Sequence, residues 1–334
     1  MRKKLLATAT LGGLALGGWS ALRHYRSLRP DLSRVAPELR NPLLPLLTTS
    51  HGPRSLRLAR WFNNIESQPG DGVEAVERRI GTPELDVLIT RPADSADAGA
   101  CPGVLYIHGG GFIFGSPKNE AAGCGTLTRE LGAVVVSPDY RLAPEHPFPA
   151  ALDDCMATLH WMREHAGEIG IDPDRIAVTG SSAGGGLAAA VAQRAHDEGI
   201  ALRAQALCYP AVDDRTALRD QPGRGRFLWP PKSNVFAWTS YLGRVPRSSD
   251  APRYAAPARR DDLSGLAPAW VGVGELDLLF DETIDYARRL QACGVPCEVV
   301  TVPGMYHGAD GLMTKAPTMV EFRRSVADFL GRYL

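Results

Sequence analysis

The sequence lacks an excess of charge of either sign, because its 37 Lys and Arg residues balance its 37 Asp and Glu residues. Without net charge, the chain has no global field to hold a polyanion, and we expect no nucleic-acid partner. Internal repeats and low-complexity tracts are also missing. With 44% hydrophobic and 22% charged residues, the composition excludes disordered and collagen-like classes. The 334 residues suit two domains, or one large domain with a small accessory lobe.

The sequence also lacks the common motifs for binding metals and nucleotides. The six cysteines are scattered, without a C-x-x-C pair or a mixed Cys/His cluster, so we predict no structural metal and mostly buried free thiols. The chain contains neither G-x-x-x-x-G-K-[ST] nor G-x-G-x-x-G. These absences argue against a nucleotide-binding protein.

A long apolar run occurs only at the start of the sequence, where Leu5 to Leu22 carry no charge and basic residues stand on both sides. A signal peptide would fit the basic start, but no A-x-A precedes a cut after Ser20. A membrane anchor needs about 20 apolar residues, and this run is shorter and diluted by glycine. A packed helix of a soluble fold is the third interpretation. Residues 1–30 therefore leave a cytoplasmic and a membrane-associated location open.

From about residue 75 to residue 334, short β-branched runs alternate with helical stretches. This pattern predicts an α/β fold, with a mostly parallel sheet flanked by helices. The predicted strands are Leu85–Thr90, Gly103–Ile107, Ala133–Ser137, Arg175–Thr179, Ala204–Tyr209, Ala269–Val273 and Glu298–Val302, and the predicted helices are Ala150–His165, Ser182–Asp197, Asp281–Ala292 and Thr318–Leu334. Residues 31–74 and 215–260 interrupt the rhythm. We predict that they form a small helical lid over the carboxyl edge of the sheet; alternatively, their aromatic residues only fill a helical core.

The segment Gly180-Ser181-Ser182-Ala183-Gly184 matches G-x-S-x-G between a predicted strand and a predicted helix. In that position, a tight turn would project the Ser182 hydroxyl from the sheet, and small neighbours would permit the close approach of adjacent chains. Composition alone would produce about 0.2 such matches, so the context carries the argument. Ser182 is the predicted nucleophile, although Ser181 stands beside it.

The segment His108-Gly109-Gly110-Gly111 follows another predicted strand, and chance would produce only about 0.01 such matches. Its glycines would let the amides of Gly110 and Gly111 point at a developing oxyanion, together with the amide of Ala183. A phosphate-binding loop is the alternative interpretation, but the phosphate motifs are missing.

A serine nucleophile needs a base and an acid, which follow it along the chain in this topology. Only His196 and His307 follow Ser182, and His196 lies far along the same predicted helix. His307 is therefore the predicted base. The acid is expected after the strand Ala269–Val273, where we favour Asp277.

Other carboxylates remain open as the acid. They are Glu275 and Asp281 nearby, and Asp213 and Asp214 farther away.

Together these motifs resemble the hormone-sensitive-lipase-like branch of the α/β-hydrolases, the bacterial type IV carboxylesterases, which include arylacetamide deacetylases. The resemblance extends from about residue 75 to the end and includes residues 139–150, D-Y-R-L-A-P-E-H-P-F-P-A. It implies an α/β-hydrolase fold with a lid, and it places the acid on Asp277, in D-L-L-F-D-E. Ser181 departs from the pattern, because the branch usually has Asp, Glu or Thr there.

The motifs predict a serine hydrolase that acts through an acyl-enzyme. The resemblance implies that its substrates are carboxylic esters of small to medium acyl groups, and amides, acetylated arylamines and lipids stay open. No cofactor is needed, because nucleophile, base and oxyanion donors are all protein groups. Two other classes are weighed against it. A ligand receptor on the same fold would lack the working histidine, and a membrane-tethered interaction domain would rest on Leu5 to Leu22 alone. The partner is a small ester; membrane association through Leu5–Leu22 and a homodimer stay open.

Overall fold

The computed structural model describes residues 27–48, 50–62, 65–81, 84–94 and 100–334. The three interpretations of Leu5–Leu22 concern residues outside these ranges. Within them, no helix has both the length and the apolar character that a membrane crossing requires.

An eight-stranded sheet forms the centre of the molecule, in the order β1-β2-β4-β3-β5-β6-β7-β8. The strands are β1 Val73–Ile80, β2 Leu85–Pro92, β3 Cys101–Ile107, β4 Val134–Pro138, β5 Ile171–Ser181, β6 Gln205–Cys208, β7 Ala269–Gly274 and β8 Cys297–Val302. Strand β2 runs antiparallel to both of its neighbours, and all other pairs are parallel. Parallel strands end at the same edge of a sheet, so the loops after β3, β5, β7 and β8 lie at one edge.

Helices cover both faces of this sheet. They are α1 at residues 27–34, α2 Leu56–Phe62, α3 Ala121–Leu131, α4 Ala150–Glu164, α5 Ala166–Ile169, α6 Ala183–Asp197, α7 Pro231–Leu242, α8 Phe280–Ala292, α9 Ala309–Leu312 and α10 Pro317–Gly331. Within the described residues, short 3-10 helices occur at Pro37–Leu39, Leu44–Leu46, Asp214–Leu218 and Pro257–Arg259.

Residues of the central strands alternate between two apolar clusters. In β4, Val134 and Val136 belong to the apolar cluster that includes residues of α4, α6 and α8, whereas Val135 belongs to the cluster that includes residues of α3 and α10. A strand with helices on both sides must be apolar at consecutive positions, and such runs made the inner strands predictable. The predicted α/β architecture is confirmed.

The differences from the sequence-based expectation are local. Strand β1 was not predicted because it is an edge strand whose side chains are mostly exposed, so it has no apolar run. Its first residue, Val73, stands just before the predicted domain boundary at residue 75. Helix α3 was also missed, since Gly123 and Gly125 weaken its helical signal.

The two segments that interrupt the α/β rhythm contact each other. The Leu228 amide donates to the Leu47 carbonyl at 2.8 Å, and the His51 amide donates to the Ser233 hydroxyl at 2.8 Å. Arg60 of α2 connects the first segment to the sheet domain. Its guanidinium forms two 2.7 Å contacts with Glu145, which lowers the pKa of that carboxyl to about 2.

Candidate active site

Ser182 occupies the turn between β5 and α6, where its backbone has φ 56° and ψ −119°. A non-glycine residue in this region stores about 1–3 kcal/mol of strain and needs support from its neighbours. The Ser182 amide donates to the Cys208 carbonyl at 2.9 Å, and the Ser182 carbonyl accepts from the amides of Gly186 and Ala211. The helix therefore begins at Ala183 and leaves Ser182 outside it.

The two glycines of the serine motif are required by close approach. A Cβ on Gly184 would lie 2.1 Å from the Ile107 carbonyl oxygen, and one on Gly180 would lie 2.4 Å from the Gly184 carbonyl oxygen. Both distances are far below van der Waals contact, so a side chain at either position would displace the serine turn.

His307 follows β8 and lies over the serine. Its Nε2 is 2.9 Å from the Ser182 Oγ, and its Nδ1 is 2.8 Å from an Asp277 carboxylate oxygen. The ring packs edge-on against Tyr209, with centroids 4.9 Å apart, and is tilted against Trp229 at 5.9 Å. Only 7% of the histidine is exposed, so the hydrogen bonds are shielded from competing water.

Asp277 is fully buried in the turn after β7. One carboxylate oxygen faces His307, and the other accepts the Leu279 amide at 2.9 Å. These bonds fix the carboxylate on both sides. The structure brings Asp277 and His307 together although 30 residues separate them in the sequence.

The other candidate acids lie elsewhere. Glu275 is exposed, and Asp281 pairs with Arg224 at 2.5 Å. Asp213 and Asp214 are held by Arg215 and Arg259, at 2.7 and 2.6 Å respectively.

The glycine loop after β3 turns with positive φ at Gly110 (116°) and Gly111 (60°). Neither amide donates to an acceptor within the described part of the chain. The amide of Ala183 opens α6, where the first N–H groups have no partner inside the helix and carry partial positive charge. These three amides were predicted together as oxyanion donors; Gly110 and Gly111 line the cavity that also contains Ser182.

Glu120 supports this loop and was missed from the sequence, where nothing local marks it. Its carboxylate accepts the Gly109 amide at 2.9 Å and the Tyr106 hydroxyl at 2.5 Å. Burial raises the pKa of Glu120 above its ordinary value. The side chain therefore fixes the backbone immediately before the two glycines.

A cavity of about 480 Å³ lies above the serine, at the edge where the parallel strands end. Apart from the glycine loop, Ser182 and His307, it is lined mainly by Leu47, His51, Phe114, Leu228, Trp229 and Leu312, with Glu120, Ser181 and Tyr209 beside them. Ser181 lines the cavity, but the hydroxyl within hydrogen-bond distance of His307 Nε2 is that of Ser182.

Glu282, on α8, holds the loop that follows β6. Its carboxylate accepts the amides of Val212 and Asp213 at 2.7 and 3.1 Å, and the adjacent Ala211 amide holds the Ser182 carbonyl. Burial raises the pKa of Glu282 from 4.5 to about 8. Folding therefore favours the protonated carboxyl.

This shift predicts a pH dependence of stability. A raised folded-state pKa contributes stability that is complete below pH 4.5 and is lost as the pH rises through about 8. Between pH 5 and 9, the free energy of unfolding of the wild type is expected to fall more than that of Glu282→Gln, by on the order of 3–5 kcal/mol. Urea unfolding across this range measures the difference. Glu321→Gln, at an exposed glutamate, should follow the wild type, whereas identical pH slopes for wild type and Glu282→Gln would contradict a protonated Glu282.

Cys124 and Cys155 are free and buried, Cys208, Cys293 and Cys297 are free and half-buried, and Cys101 is half-buried. Within the described ranges, His, Cys, Asp and Glu side chains form no group able to hold a metal ion.

Comparison with known proteins identifies the fold and the family of the chain. A family model described as the alpha/beta hydrolase fold matches residues 104–310. The carboxylesterase NlhH of Mycobacterium tuberculosis is 39% identical over 305 residues, which cover 88% of this chain and 93% of that protein. The esterase LipI of the same organism is 37% identical over 279 residues, or 75% of this chain and 85% of that protein.

The solved structure of a bacterial heroin esterase is 36% identical and superposes with a TM-score of 0.83, covering 91% of this chain and 99% of that one. The matched regions cover 93% of NlhH, 85% of LipI and 99% of the heroin esterase. The chain therefore belongs to the α/β-hydrolase fold family, in its hormone-sensitive-lipase-like branch of carboxylesterases.

Proposed function

We propose that this enzyme hydrolyses carboxylic esters of small to medium acyl groups through an acyl-enzyme on Ser182. The observation that carries the proposal is the continuous chain of hydrogen bonds from the Ser182 Oγ through His307 to Asp277, at 2.9 and 2.8 Å. Such a chain lets the imidazole remove the serine proton while the carboxylate holds the ring and stabilises its charged form.

In the first half of the reaction, Ser182 attacks the ester carbonyl and His307 Nε2 takes the hydroxyl proton. The carbonyl oxygen becomes negatively charged and accepts hydrogen bonds from the amides of Gly110, Gly111 and Ala183. The imidazolium then protonates the departing alcohol. In the second half, His307 takes a proton from the water that attacks the acyl-enzyme, the bond between the acyl carbon and the Ser182 oxygen breaks, and the imidazolium returns the proton to that oxygen as the acid product leaves.

The cavity supports the proposed substrate size. Its volume of about 480 Å³ is within the range of about 300–1,000 Å³ that is usual for small-molecule sites. Leucine and aromatic side chains form most of its walls, as suits an acyl or alkyl group. Residues 31–74 and 215–260 contribute Leu47, His51, Leu228 and Trp229 to these walls, which favours their role as a lid.

A ligand receptor on the same fold is less well supported. A receptor requires no proton transfer, yet His307 lies within hydrogen-bond distance of the nucleophilic serine and is held by a buried carboxylate. This arrangement is what catalysis requires.

Labelling with a fluorophosphonate tests the nucleophile. The serine oxygen should displace fluoride and form one covalent phosphonate adduct, which fragmentation mass spectrometry assigns to Ser182. Ser182→Ala should lose both the adduct and the hydrolysis of p-nitrophenyl acetate. Ser181→Ala is the matched control and should still be labelled. An adduct that persists in Ser182→Ala would show that another residue is the nucleophile.

A further inference from the structure

The walls of the cavity contain three titratable side chains besides His307, and two of them already have partners. Glu120 accepts hydrogen bonds from Gly109 and Tyr106, and the Tyr209 hydroxyl donates to Asp310 at 2.8 Å. The third is His51, whose ring nitrogens have no partner among the residues that the structure describes. His51 therefore presents free hydrogen-bonding capacity to a largely apolar cavity.

The position of this ring is defined by its neighbours. The His51 amide donates to Ser233, and the ring packs edge-on against Phe114, with centroids 5.1 Å apart. The ring is also tilted against Trp229, with centroids 6.1 Å apart. The same Trp229 ring lies 5.9 Å from the His307 ring, centroid to centroid. A single indole thus packs against both histidines, and His51 and Ser182 line the same cavity.

The charge of the site limits what His51 can recognise. Burial lowers the pKa of His51 and so favours the neutral ring. No lysine or arginine belongs to the described lining of the cavity. A substrate carboxylate would therefore enter a site without a cation, whereas a neutral oxygen would meet an imidazole N–H.

We propose that His51 is a specificity residue that selects esters whose acyl or alcohol part carries a neutral hydrogen-bond acceptor, such as an ether or second ester oxygen. This inference rests on the proposed function, because the substrate is oriented by its reaction at Ser182. Among small esters, those that carry such an oxygen are the substrate class that this cavity favours.

The physical reason is the cost of an unpaired polar group. A purely apolar chain displaces water from His51 and leaves its N–H without an acceptor, whereas an ether oxygen replaces the water. One neutral hydrogen bond in a partly exposed site corresponds to a preference of about 3–10-fold in kcat/KM.

Two pairs of esters with matched shapes test the proposal. 2-Methoxyethyl acetate and butyl acetate differ by one oxygen in the alcohol, and ethyl methoxyacetate and ethyl butyrate differ by one oxygen in the acyl group. For each pair, the ratio of the two kcat/KM values is measured at neutral pH. Intrinsic differences in ester reactivity cancel when this ratio is compared between wild type and variant.

His51→Phe and His51→Leu remove the N–H in two different shapes. In at least one pair, both substitutions are expected to lower the oxygen preference by about 3–10-fold, and the affected pair identifies the half of the substrate that faces His51. His51→Asn restores an N–H donor and should recover part of the preference. Leu47→Ala, which changes the wall without changing its polarity, should alter both esters of a pair in parallel.

The outcomes separate this inference from the proposed function. Unchanged ratios in both pairs, for both variants that lack the N–H, would overturn the role of His51 while ester hydrolysis stands. A carboxylate-bearing ester preferred over its methoxy counterpart would also overturn it. Hydrolysis that survives in Ser182→Ala would instead reject the proposed function.

Discussion

Replacing Ser182 or His307 by alanine is expected to lower kcat for a small ester by about 10⁴–10⁶-fold. In the proposed mechanism, Ser182 supplies the oxygen that forms the acyl-enzyme, and His307 transfers a proton in both halves of the reaction. Because the residues act as one unit, the Ser182→Ala/His307→Ala double variant should be hardly slower than either single variant. Steady-state assays on purified variants, with folding verified by circular dichroism, measure these losses.

Asp277→Asn belongs to the same prediction and is the more informative change. Asparagine has nearly the same shape and can still accept the Leu279 amide. Its NH₂ group would then face His307 and favour the tautomer whose Nε2 carries a proton, which cannot accept the proton of Ser182. A loss of about 10⁴-fold is expected.

Glu275→Gln is the matched control, since this exposed carboxylate follows the same strand. It should retain activity close to that of the wild type. Equal losses in Asp277→Asn and Glu275→Gln would mean that neither carboxylate serves His307 specifically.

Gly111→Ala is expected to reduce kcat/KM by at least about 10²–10³-fold, the usual cost of losing one oxyanion donor. A Cβ at this position would lie 2.2 Å from Cη2 of Trp229, and the backbone has φ 60°. Trp229 is buried and its indole N–H donates to Asn234 at 3.2 Å, so the ring has little freedom to move away. The glycine loop must shift instead, and its amides no longer point at the developing oxyanion.

Gly170→Ala is the control that separates the displacement of the glycine loop from the effect of backbone strain alone. Gly170 has φ 75°, and nothing lies within 4 Å of the position where its Cβ would be. Alanine there should cost about 1–2 kcal/mol of stability without changing the rate of the folded enzyme. If Gly111→Ala lowered thermal stability but kept the wild-type kcat/KM, the glycine loop would have no role in stabilising the oxyanion.

Much of the fold could be predicted because its signals are local. The inner strands are apolar at consecutive positions since helices cover both faces, as at Val134–Val136. Strand β1 carries the opposite signal, because an edge strand with exposed charged side chains resembles a loop. In α3, Gly125 is explained only by the packing, since a Cβ there would lie 1.9 Å from the Pro69 carbonyl oxygen.

The candidate site likewise contains residues that a local sequence signal predicts and residues whose role depends on packing. Glycines at positions 180, 184, 110 and 111 are visible in the sequence because a tight turn needs them within a few residues of the reacting group. Asp277 could be favoured but not separated from Glu275 or Asp281, since all three carboxylates follow the same strand. The choice among these three carboxylates depends on which of them the turn directs inward, toward His307.

The sequence by itself determined the α/β alternation, the serine turn and the glycine loop, because each depends on backbone conformation within one short segment. Only the tertiary structure decided that Glu120 supports the glycine loop, that Glu282 holds the loop after β6, and that His51 faces the cavity. These side chains come from separate parts of the chain, and no local pattern encodes which of them will meet. Their contacts arise from the packing of the two interrupting segments and the helices against the sheet, which brings distant residues to a single edge.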